Sequence, residues 1–421
     1  MSLTIGLLFA LSIGRHAFGP PKGLNDFVQE WTSARNHLVG EPIYAPLADS
    51  LKRHFRREVQ LTTIQVNAHP PSCVLLTLPL ARFSFTRALQ IWNGLSLAML
   101  IVAVALLFSR AGLGWSPWYL LPVFALTVTS NPLAQQMLQG QLNLLLLLLL
   151  TGFWLTARSG RWAWAGVLVG VAGAIKLFPL YLGLYFLAQR RWLGVLGVGA
   201  GFAITTLVTM SVFGVDVYVE YFREVAPAVA GEFQSYWPNA SISGFFRKLL
   251  DGSVGHTLPL ADLPGLASLL TLATVLAMTI AVGLRCYRAQ DDRQRDSAMA
   301  ACVVAMLLAS PITWDHYFLL LLPFLALLWQ QACGAPARQA ALLLLIVLMF
   351  TVRPTWIWDA VIPGDGELAL RAGDVPSVGA TWHVLTVLSY EFYSLVALWW
   401  LAMRSGPVAD ETKMARTAPV A

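Results

Sequence analysis

The chain has 421 residues, of which 57% are hydrophobic and 12% are charged, and its formal net charge is +6. Soluble domains carry roughly 25% charged residues, so this composition leaves too little polar surface for an ordinary soluble fold. Disorder is excluded as well, because a disordered chain requires low hydrophobicity and high net charge. The composition therefore predicts an all-α polytopic membrane protein.

Long apolar runs follow one another along the chain. A helix needs about 20 apolar residues to cross a bilayer, and by that measure we expect about eleven spans, in a range of roughly 10–13. Pro70–Phe83 is too short and proline-rich to cross, so we interpret it as a re-entrant or surface helix. The predicted spans are, in chain order, Leu3–Phe18, Ala88–Ser109, two helices within Ala111–Ala157, a hairpin within Arg161–Arg191, Trp192–Val215, Leu263–Leu284, Ser297–Trp314, Tyr317–Ala337, Gln339–Val352 and Thr381–Met403.

Arginines cluster at the short turns between these spans, which is typical of the cytoplasmic side of a membrane. This placement explains the positive charge without a nucleic-acid partner. It puts two long loops outside, at about residues 19–70 and 214–262, each carrying juxtamembrane helices. We expect one integral domain over residues 1–404 in the inner (plasma) membrane, and a disordered cytoplasmic tail over 405–421. The turn arginines are Arg110, Arg158, Arg161, Arg190, Arg191, those within Arg285–Arg295, and Arg338.

One basic segment falls in the first outside loop. Leu47, Leu51, Phe55 and Val59 recur every four residues there and form an apolar stripe beside a basic face. Such a helix is typical of the membrane interface, where it contacts anionic headgroups. An ordinary solvated helix is the alternative.

The same loop opens with a second helical pattern that carries acidic side chains. Asp26 and Glu30 lie on one polar stripe of the helix that leads to Leu38, next to an apolar stripe. A carboxylate at this place, directly after the first span, can act as a general base for an acceptor hydroxyl. The alternative is that Asp26 only caps the helix, since aspartate is a preferred N-cap residue.

Polar side chains interrupt two of the apolar runs. Gln141 and Asn143 follow Gly140 inside a leucine-rich stretch, where amides either join helices or meet a polar ligand. Lys176 is a lone lysine in the middle of the predicted hairpin, just before Pro179. A buried lysine of this kind should reach a phosphate, a carboxylate or the membrane interface, with simple snorkelling as the alternative.

Two further segments carry ionisable groups near predicted spans. Asp315 and His316 stand in a short turn at the outer face, where histidine can donate to a phosphate and the flanking aromatics alone would suit an interfacial belt. Glu391 lies in the last span, and a buried hydrogen bond is its simplest explanation.

The four cysteines have no CxxC spacing, and the sequence has no nucleotide-binding loop or metalloprotease motif. We therefore expect no metal and no cofactor.

Taken together, several motifs resemble those of glycosyltransferase family 87. They are NDF…GEPIY (Asn25–Tyr44), HPP (His69–Pro71), QGQLNLLLLLLL (Gln139–Leu150), RWAWAGVLVGVAGAIKLFPL (Arg161–Leu180), NASISGFFR (Asn239–Arg247) and SPITWDHYFLLLLP (Ser310–Pro323). The resemblance implies a GT-C type membrane fold, with Asp26 as the catalytic carboxylate and with Lys176 and His316 at the phosphate of a lipid-linked donor. We further predict that Glu30, Gln141, Asn143, Asp315 and Asn239 bind substrate. His69 departs from the family pattern, which often has an aromatic residue there.

These observations predict a membrane glycosyltransferase. It would move a sugar, with mannose as the first choice, from polyprenyl phosphate to an acceptor hydroxyl on the external face, with inversion and without a cofactor. Its expected partners are the polyprenyl-linked donor, a glycolipid or polysaccharide acceptor, and membrane lipids. A lipid or solute transporter or flippase is the main alternative, and a non-catalytic scaffold is a second one; transporters are typically built from inverted repeats with paired broken helices.

Overall fold

The structure is a computed structural model in which every regular element of the described residues is helical. This confirms the all-α class. Within these residues the single β pairing is an isolated bridge between Thr257 and Gly379. The described residues are 13–15, 17–19, 25–56, 66–110, 117–128, 131–234, 236–253, 257–333, 337–362 and 379–404. Most of the predicted first span and the whole predicted tail lie outside them.

Besides the helical residues 13–15 and 17–18, the described part of the chain contains twenty α-helices. They are α1 (Phe27–Leu38), α2 (Leu47–Phe55), α3 (Pro71–Thr77), α4 (Phe85–Arg110), α5 (Pro117–Val128), α6 (Asn131–Gln139), α7 (Asn143–Arg158), α8 (Trp162–Ile175), α9 (Gly183–Ala188), α10 (Trp192–Phe213), α11 (Asp216–Glu220), α12 (Ala226–Phe233), α13 (Ile242–Leu250), α14 (Pro264–Arg288), α15 (Asp292–Ala309), α16 (Leu322–Cys333), α17 (Ala337–Thr351), α18 (Pro354–Val361), α19 (Thr381–Leu385) and α20 (Tyr390–Arg404). Short 3₁₀ turns cover Leu80–Arg82, Phe178–Leu182, Asp315–Leu321 and Val387–Ser389, and a π-helical turn covers Tyr221–Val225.

Four helical segments of the described chain are long and apolar enough to cross a membrane. They are α4, α10, α14 and the continuous segment Asp315–Cys333. Two bent pairs raise the number to six, α6 with α7 at 119° and α17 with α18 at 80°. The protein is thus a helical membrane protein, whereas the count of about eleven spans stays a prediction.

Two predicted spans have different boundaries in the structure. Ala111–Ala157 was expected to form two helices, whereas its described residues form α5, α6 and α7, and the chain turns at Gly140 between α6 and α7. Ser297–Trp314 was expected to be one span, but α15 ends at Ala309 and Ser310 is extended. The cause is Pro311, since a residue that precedes proline is forced out of the helical region.

The basic helix α2 packs on protein rather than on lipid. Leu47 and Leu51 are buried, and the Phe55 ring lies 5.4 Å from the rings of both Trp31 and Phe85. The prediction that this apolar stripe inserts into the membrane interface is therefore wrong for Leu47–Phe55, because aromatic side chains of α1 and α4 already cover it. Val59 lies outside the described residues.

The hairpin predicted at Lys176 is present as two helical arms. The first arm, α8, ends at Ile175, and the second begins at Phe178. Glycines let α8 lie directly against α10: a Cβ on Gly166 or Gly170 would overlap a backbone carbonyl oxygen of α10. Such close packing of small residues is typical of membrane helices, and it fixes the end of α8 from which Lys176 projects.

Candidate functional site

A single large cavity collects most of the predicted site residues. Its volume of about 980 Å³ lies within the range of ordinary ligand sites, roughly 300–1,000 Å³. Its wall combines polar and aromatic side chains. The polar side chains are Asp26, Gln29, His69, Gln135, Gln139, Gln141, Lys176, Ser310, Asp315, His316, Arg353 and Thr355, and the aromatic ones are Phe178, Tyr181, Tyr221, Phe233, Tyr236, Trp237, Trp314 and Tyr317.

A sharp turn at Gly140 builds one side of the cavity. Gly140 has φ +63°, a conformation that side-chain-bearing residues rarely adopt. A Cβ there would also lie only 2.7 Å from Phe27 Cβ. The indole Nε1 of Trp92 donates to the Gln141 carbonyl at 3.3 Å. The turn is therefore fixed directly beside Asp26 and the start of α1.

Asp26 does not act as a helix cap. Its backbone is helical, at φ −61° and ψ −32°, and its side chain makes no capping hydrogen bond, whereas an N-cap residue has non-helical dihedrals. Instead the Gln141 amide nitrogen donates to Asp26 Oδ2 at 2.6 Å, and the Asp26 backbone N–H donates to Gln139 Oε1 at 3.2 Å. The carboxylate is thereby aimed at the cavity.

Lys176 is held inside the protein by neutral groups. It is 4% exposed, and its Nζ donates to Gln141 Oε1 at 2.9 Å and to Asn143 Oδ1 and the Tyr317 hydroxyl at 3.4 Å each. Nζ also lies 4.5 Å from the Tyr317 ring centroid. No carboxylate forms an ion pair with Lys176 among the described residues. The Lys176 side chain therefore does not extend to the protein surface, and no carboxylate among the described residues neutralises its charge.

Helix α3 holds the backbone that precedes Lys176. The last carbonyls of a helix have no partner within the helix, and here the Ser72 hydroxyl donates to the Ala174 carbonyl while the Cys73 thiol lies 3.1 Å from that of Ile175. Lys176 itself is extended, at φ −137° and ψ 134°. The segment Pro70–Phe83, interpreted from sequence as re-entrant or surface, thus contributes α3 as a support of the site.

One amide stands between the cation and the anion. The Gln141 side chain accepts from Lys176 through its oxygen and donates to Asp26 through its nitrogen. Both charged groups line one cavity and do not touch each other. This arrangement offers a proton acceptor and an anion-binding cation at the same time.

His316 lines the cavity and carries a buried ring nitrogen that has no hydrogen-bond partner among the described residues. The residue is buried, and Asp315 Oδ1 accepts from its backbone N–H at 2.7 Å and lies 3.2 Å from Nδ1. Asn131 donates to the other Asp315 oxygen. Nε2 is buried without a partner among the described residues. A carboxylate behind a histidine fixes the orientation of the ring, so the position of the buried Nε2 is fixed as well.

Three predicted substrate-binding residues lie behind the cavity wall. Asn143 donates to Gln136 Oε1 at 3.0 Å, and Glu30 pairs with His69. Asn239 is fully buried; its amide accepts from the Thr313 N–H at 3.0 Å and donates to the Pro311 carbonyl at 2.9 Å. These side chains can affect a ligand only indirectly, through the residues that they contact. Gln141 and Asp315 do line the cavity.

Lys248 and Glu391 form another buried polar group beside the cavity. Lys248 donates to the carbonyls of Trp237 at 2.9 Å and Asn239 at 3.2 Å. Burial lowers the pKa of Lys248 to about 8, and the attraction of Glu391 opposes that shift. Glu391 accepts from the neighbouring Tyr390 hydroxyl at 3.2 Å. Neither ionisable group lines the cavity, and the hydrogen bonds of Lys248 support the segment around Trp237.

Sequence reasoning did not assign Gln29, His69, Tyr317 or Arg353 to the site. Gln29 had a usable signal, since it follows Asp26 by three residues and therefore shares a helix face with it. His69 had only its place before two prolines, and nothing local indicates which way its ring points. Arg353 directly follows a predicted span far along the chain, and only the fold brings it to the cavity.

Comparison with known proteins identifies the family of this chain. The family model for glycosyltransferase family 87 matches residues 67–311, more than half of the chain. One relative from Mycolicibacterium smegmatis and one from Mycobacterium tuberculosis are each 26% identical over 340 residues, 79% of this chain and 76% and 72% of their own lengths. Both are named polyprenol-phosphate-mannose-dependent alpha-(1-2)-phosphatidylinositol pentamannoside mannosyltransferases. Another Mycobacterium tuberculosis relative, named for phosphatidylinositol mannoside, is 26% identical over 83% of this chain and 78% of its own length.

Proposed function

This chain belongs to glycosyltransferase family 87 and is a glycosyltransferase, and on that premise we propose that it transfers a sugar from polyprenyl phosphate to an acceptor hydroxyl. Mannose is the first candidate for the sugar, because the relatives are named for polyprenol-phosphate-mannose. The observation that carries the proposal is the cavity in which Gln141 separates Asp26 from Lys176. Gln141 and Lys176 lie within the range that the family model matches, whereas the roles of Asp26 and His316 rest on geometry.

The donor phosphate binds at Lys176 and His316. The buried ammonium has neutral partners only, so a phosphate anion compensates the cost of burying its charge. His316 Nε2, when protonated, donates to the same phosphate. As the bond from the sugar C1 to the phosphate oxygen breaks, negative charge grows on the leaving group. Preorganised donors aimed at such charge typically contribute about 10²- to 10³-fold to the rate.

The acceptor hydroxyl binds at Asp26. Its oxygen forms a bond to C1 on the face opposite the departing phosphate, its proton passes to the Asp26 carboxylate, and the configuration at C1 inverts. Single displacement needs the base and the leaving-group site on different sides of the reacting carbon. The hydrogen bonds of Asp26 and Lys176 to different atoms of the Gln141 amide support this assignment, because they keep the two charged groups out of contact.

The aromatic side chains of the wall suit the lipid portions of the substrates. Phe233, Tyr236 and Trp314 form one cluster, with the Trp314 ring 6.0 Å from Phe233 and 5.7 Å from Tyr236. Such surface binds a prenyl chain or the body of a glycolipid by burial of apolar area. The relatives' names point to a glycolipid acceptor of the phosphatidylinositol mannoside type, and a polysaccharide is the second candidate.

We propose that the cavity opens to the external face of the inner membrane. Helix α7 joins the cavity end, at Asn143, to an arginine-rich end at Arg158, and its 16 residues span about 24 Å. Arginines at short turns favour the cytoplasmic side, so the cavity end lies outside. A GT-C type domain over residues 1–404, with about eleven spans and a cytoplasmic tail over 405–421, follows from the same topology.

A transport function is the second candidate because two helix pairs are sharply bent, as in many transporters. Purified protein in liposomes, supplied with polyprenyl-phosphate-[³H]mannose and a short-chain mannoside acceptor, separates the two. The proposal expects a labelled disaccharide product that is absent with Asp26→Asn. Movement of labelled donor between leaflets with no labelled product would favour transport and overturn the proposal.

A further inference from the structure

Gln29 and His69 line the cavity beside Asp26 and have no part in the mechanism above. Gln29 lies three residues after Asp26 on α1, so the two side chains leave the helix on one face. The Gln29 Oε1 atom accepts from the Ala68 backbone N–H at 3.0 Å. Because its oxygen is engaged, the NH₂ group is the part of Gln29 that faces a ligand.

His69 is fixed from several directions. Its Nδ1 pairs with Glu30 Oε1, its backbone N–H donates to Asn67 Oδ1 at 3.0 Å, and its carbonyl accepts from the Tyr44 hydroxyl at 2.8 Å. Glu30 is itself 4% exposed. A carboxylate at one ring nitrogen sets the tautomer and the ring orientation. The Nδ1 edge is thus committed to Glu30, and the Nε2 edge is the polar edge left for the cavity.

The charge at this place differs from that at Lys176. Glu30 and His69 together carry either no net charge or one negative charge, and the Asp26 carboxylate lies on the same helix stripe. A phosphate gains nothing from such surroundings. Neutral hydroxyl groups suit them, because His69 Nε2 can accept a hydrogen bond from one hydroxyl while the Gln29 NH₂ donates to the oxygen of another.

We propose that Gln29 and His69 form a hydroxyl-binding subsite that holds the acceptor sugar against Asp26, with Glu30 as the residue that positions His69. The inference rests on the proposed function and names the side of the cavity that the acceptor occupies. The donor phosphate occupies a separate part of the cavity, at Lys176 and His316. A pair consisting of one donor and one acceptor fits two neighbouring hydroxyls of a sugar ring.

Binding to the full-length protein in detergent tests the subsite without any turnover. The two probes are octyl α-mannoside, a neutral sugar, and farnesyl phosphate, a lipid phosphate. His69→Phe should weaken octyl mannoside about 5- to 10-fold, the usual cost of one neutral hydrogen bond, and change farnesyl phosphate less than 2-fold. Lys176→Ala should show the reverse pattern. Equal losses for both probes in His69→Phe, or none for octyl mannoside, would overturn the subsite.

Further variants separate hydrogen bonding from structural support. His69→Gln keeps a polar group near the Nε2 position and should recover part of the octyl mannoside affinity. Glu30→Gln should weaken octyl mannoside by a smaller factor and add nothing in the His69→Phe background, because both changes act through the same ring. Full additivity of Glu30→Gln and His69→Phe would contradict the positioning role.

His54→Phe is the matched control, since this histidine belongs to the same loop but contacts Asn36 at 2.8 Å instead of lining the cavity. It should leave the affinity for both probes unchanged, and a loss equal to that of His69→Phe would overturn the assignment.

Transfer assays run beside the binding assays distinguish the failure of this subsite from the failure of the proposed function. Wild-type protein that binds both probes in the predicted pattern but forms no product refutes the enzyme function alone. Normal transfer with an unchanged acceptor KM in His69→Phe refutes the subsite alone.

Discussion

The two ends of α7 each carry a cluster of polar side chains, and the clusters are built differently. At the Arg158 end, Asp296 accepts from Arg158 at 2.6 Å and from the Trp154 indole at 2.8 Å, around a small pocket of about 250 Å³. At the Asn143 end, Lys176 and Asp26 face a cavity of about 980 Å³ with the Gln141 amide between them. Opposite charges touch at one end and are kept apart at the other.

This difference indicates that the pairing of opposite charges, rather than burial alone, distinguishes a structural cluster from a functional one. A buried ion pair in contact compensates its own desolvation in part and has little charge left for a ligand. A buried cation with neutral partners retains most of its attraction for an anion. The account therefore expects changes at the Lys176 end to affect catalysis and changes at the Arg158 end to affect stability.

The largest effect on the donor side is expected from Lys176→Ala. Loss of a preorganised cation at the leaving phosphate should lower kcat/KM for the donor about 10²- to 10³-fold. Lys176→Arg keeps the charge and should retain part of the activity. Initial rates with labelled polyprenyl-phosphate mannose measure both, and an unchanged kcat/KM in Lys176→Ala would show that the lysine has no part in donor use.

A change of Gln141 to Glu makes the Lys176 end resemble the Arg158 end. The new carboxylate would lie against the ammonium, about 2.9 Å from it if the geometry of Gln141 is kept, and would also repel Asp26. We expect transfer to fall about 50-fold or more in protein that still folds, because the gain of an ion pair with Lys176 and the repulsion of Asp26 act on stability in opposite directions. Thermal melting and the transfer rate, measured on one preparation, test this prediction. Full activity in this variant would contradict the distinction between the two ends of α7.

His316→Gln should have a smaller effect. Glutamine keeps a hydrogen-bond donor near the Nε2 position but cannot carry a positive charge, so kcat should fall about 10-fold while the protein still folds. The donor KM and kcat, measured separately, show whether the loss occurs at the leaving phosphate. Equal activity in His316→Gln and wild type would place the ring outside the mechanism.

The smallest effect on activity is expected at the other end, from Arg158→Gln. Removal of the cation leaves Asp296 without its ion-pair partner, and we expect the free energy of unfolding to fall by about 1 kcal/mol. The value is modest because the Arg158 side chain is 36% exposed. Transfer by the folded protein should stay within about 3-fold of wild type. A 100-fold loss of transfer with normal melting would reverse the roles of the two ends.

The sequence predicted those parts of the site that have a local signature. Gly140 between two glutamines indicated a turn, and Lys176 near Pro179 indicated a break in an apolar run; the structure has both. Contacts between residues that are far apart in the sequence have no local pattern from which they could be predicted. Asn131 meets Asp315 across 184 positions, and Ser72 meets Ala174 across 102. The stripe of Leu47 and Leu51 failed for a different reason, because an apolar face packs equally well on lipid and on aromatic side chains.

The most direct test makes one chemical change at both ends of α7, a carboxylate to an amide. Asp26→Asn keeps the size of the side chain but removes the proton acceptor, so transfer should fall about 10²-fold or more while thermal melting stays near wild type. Asp296→Asn should keep transfer within about 3-fold and melt at a lower temperature. More than a tenth of the wild-type transfer rate in Asp26→Asn, or an equal loss of transfer in both variants, would contradict the account.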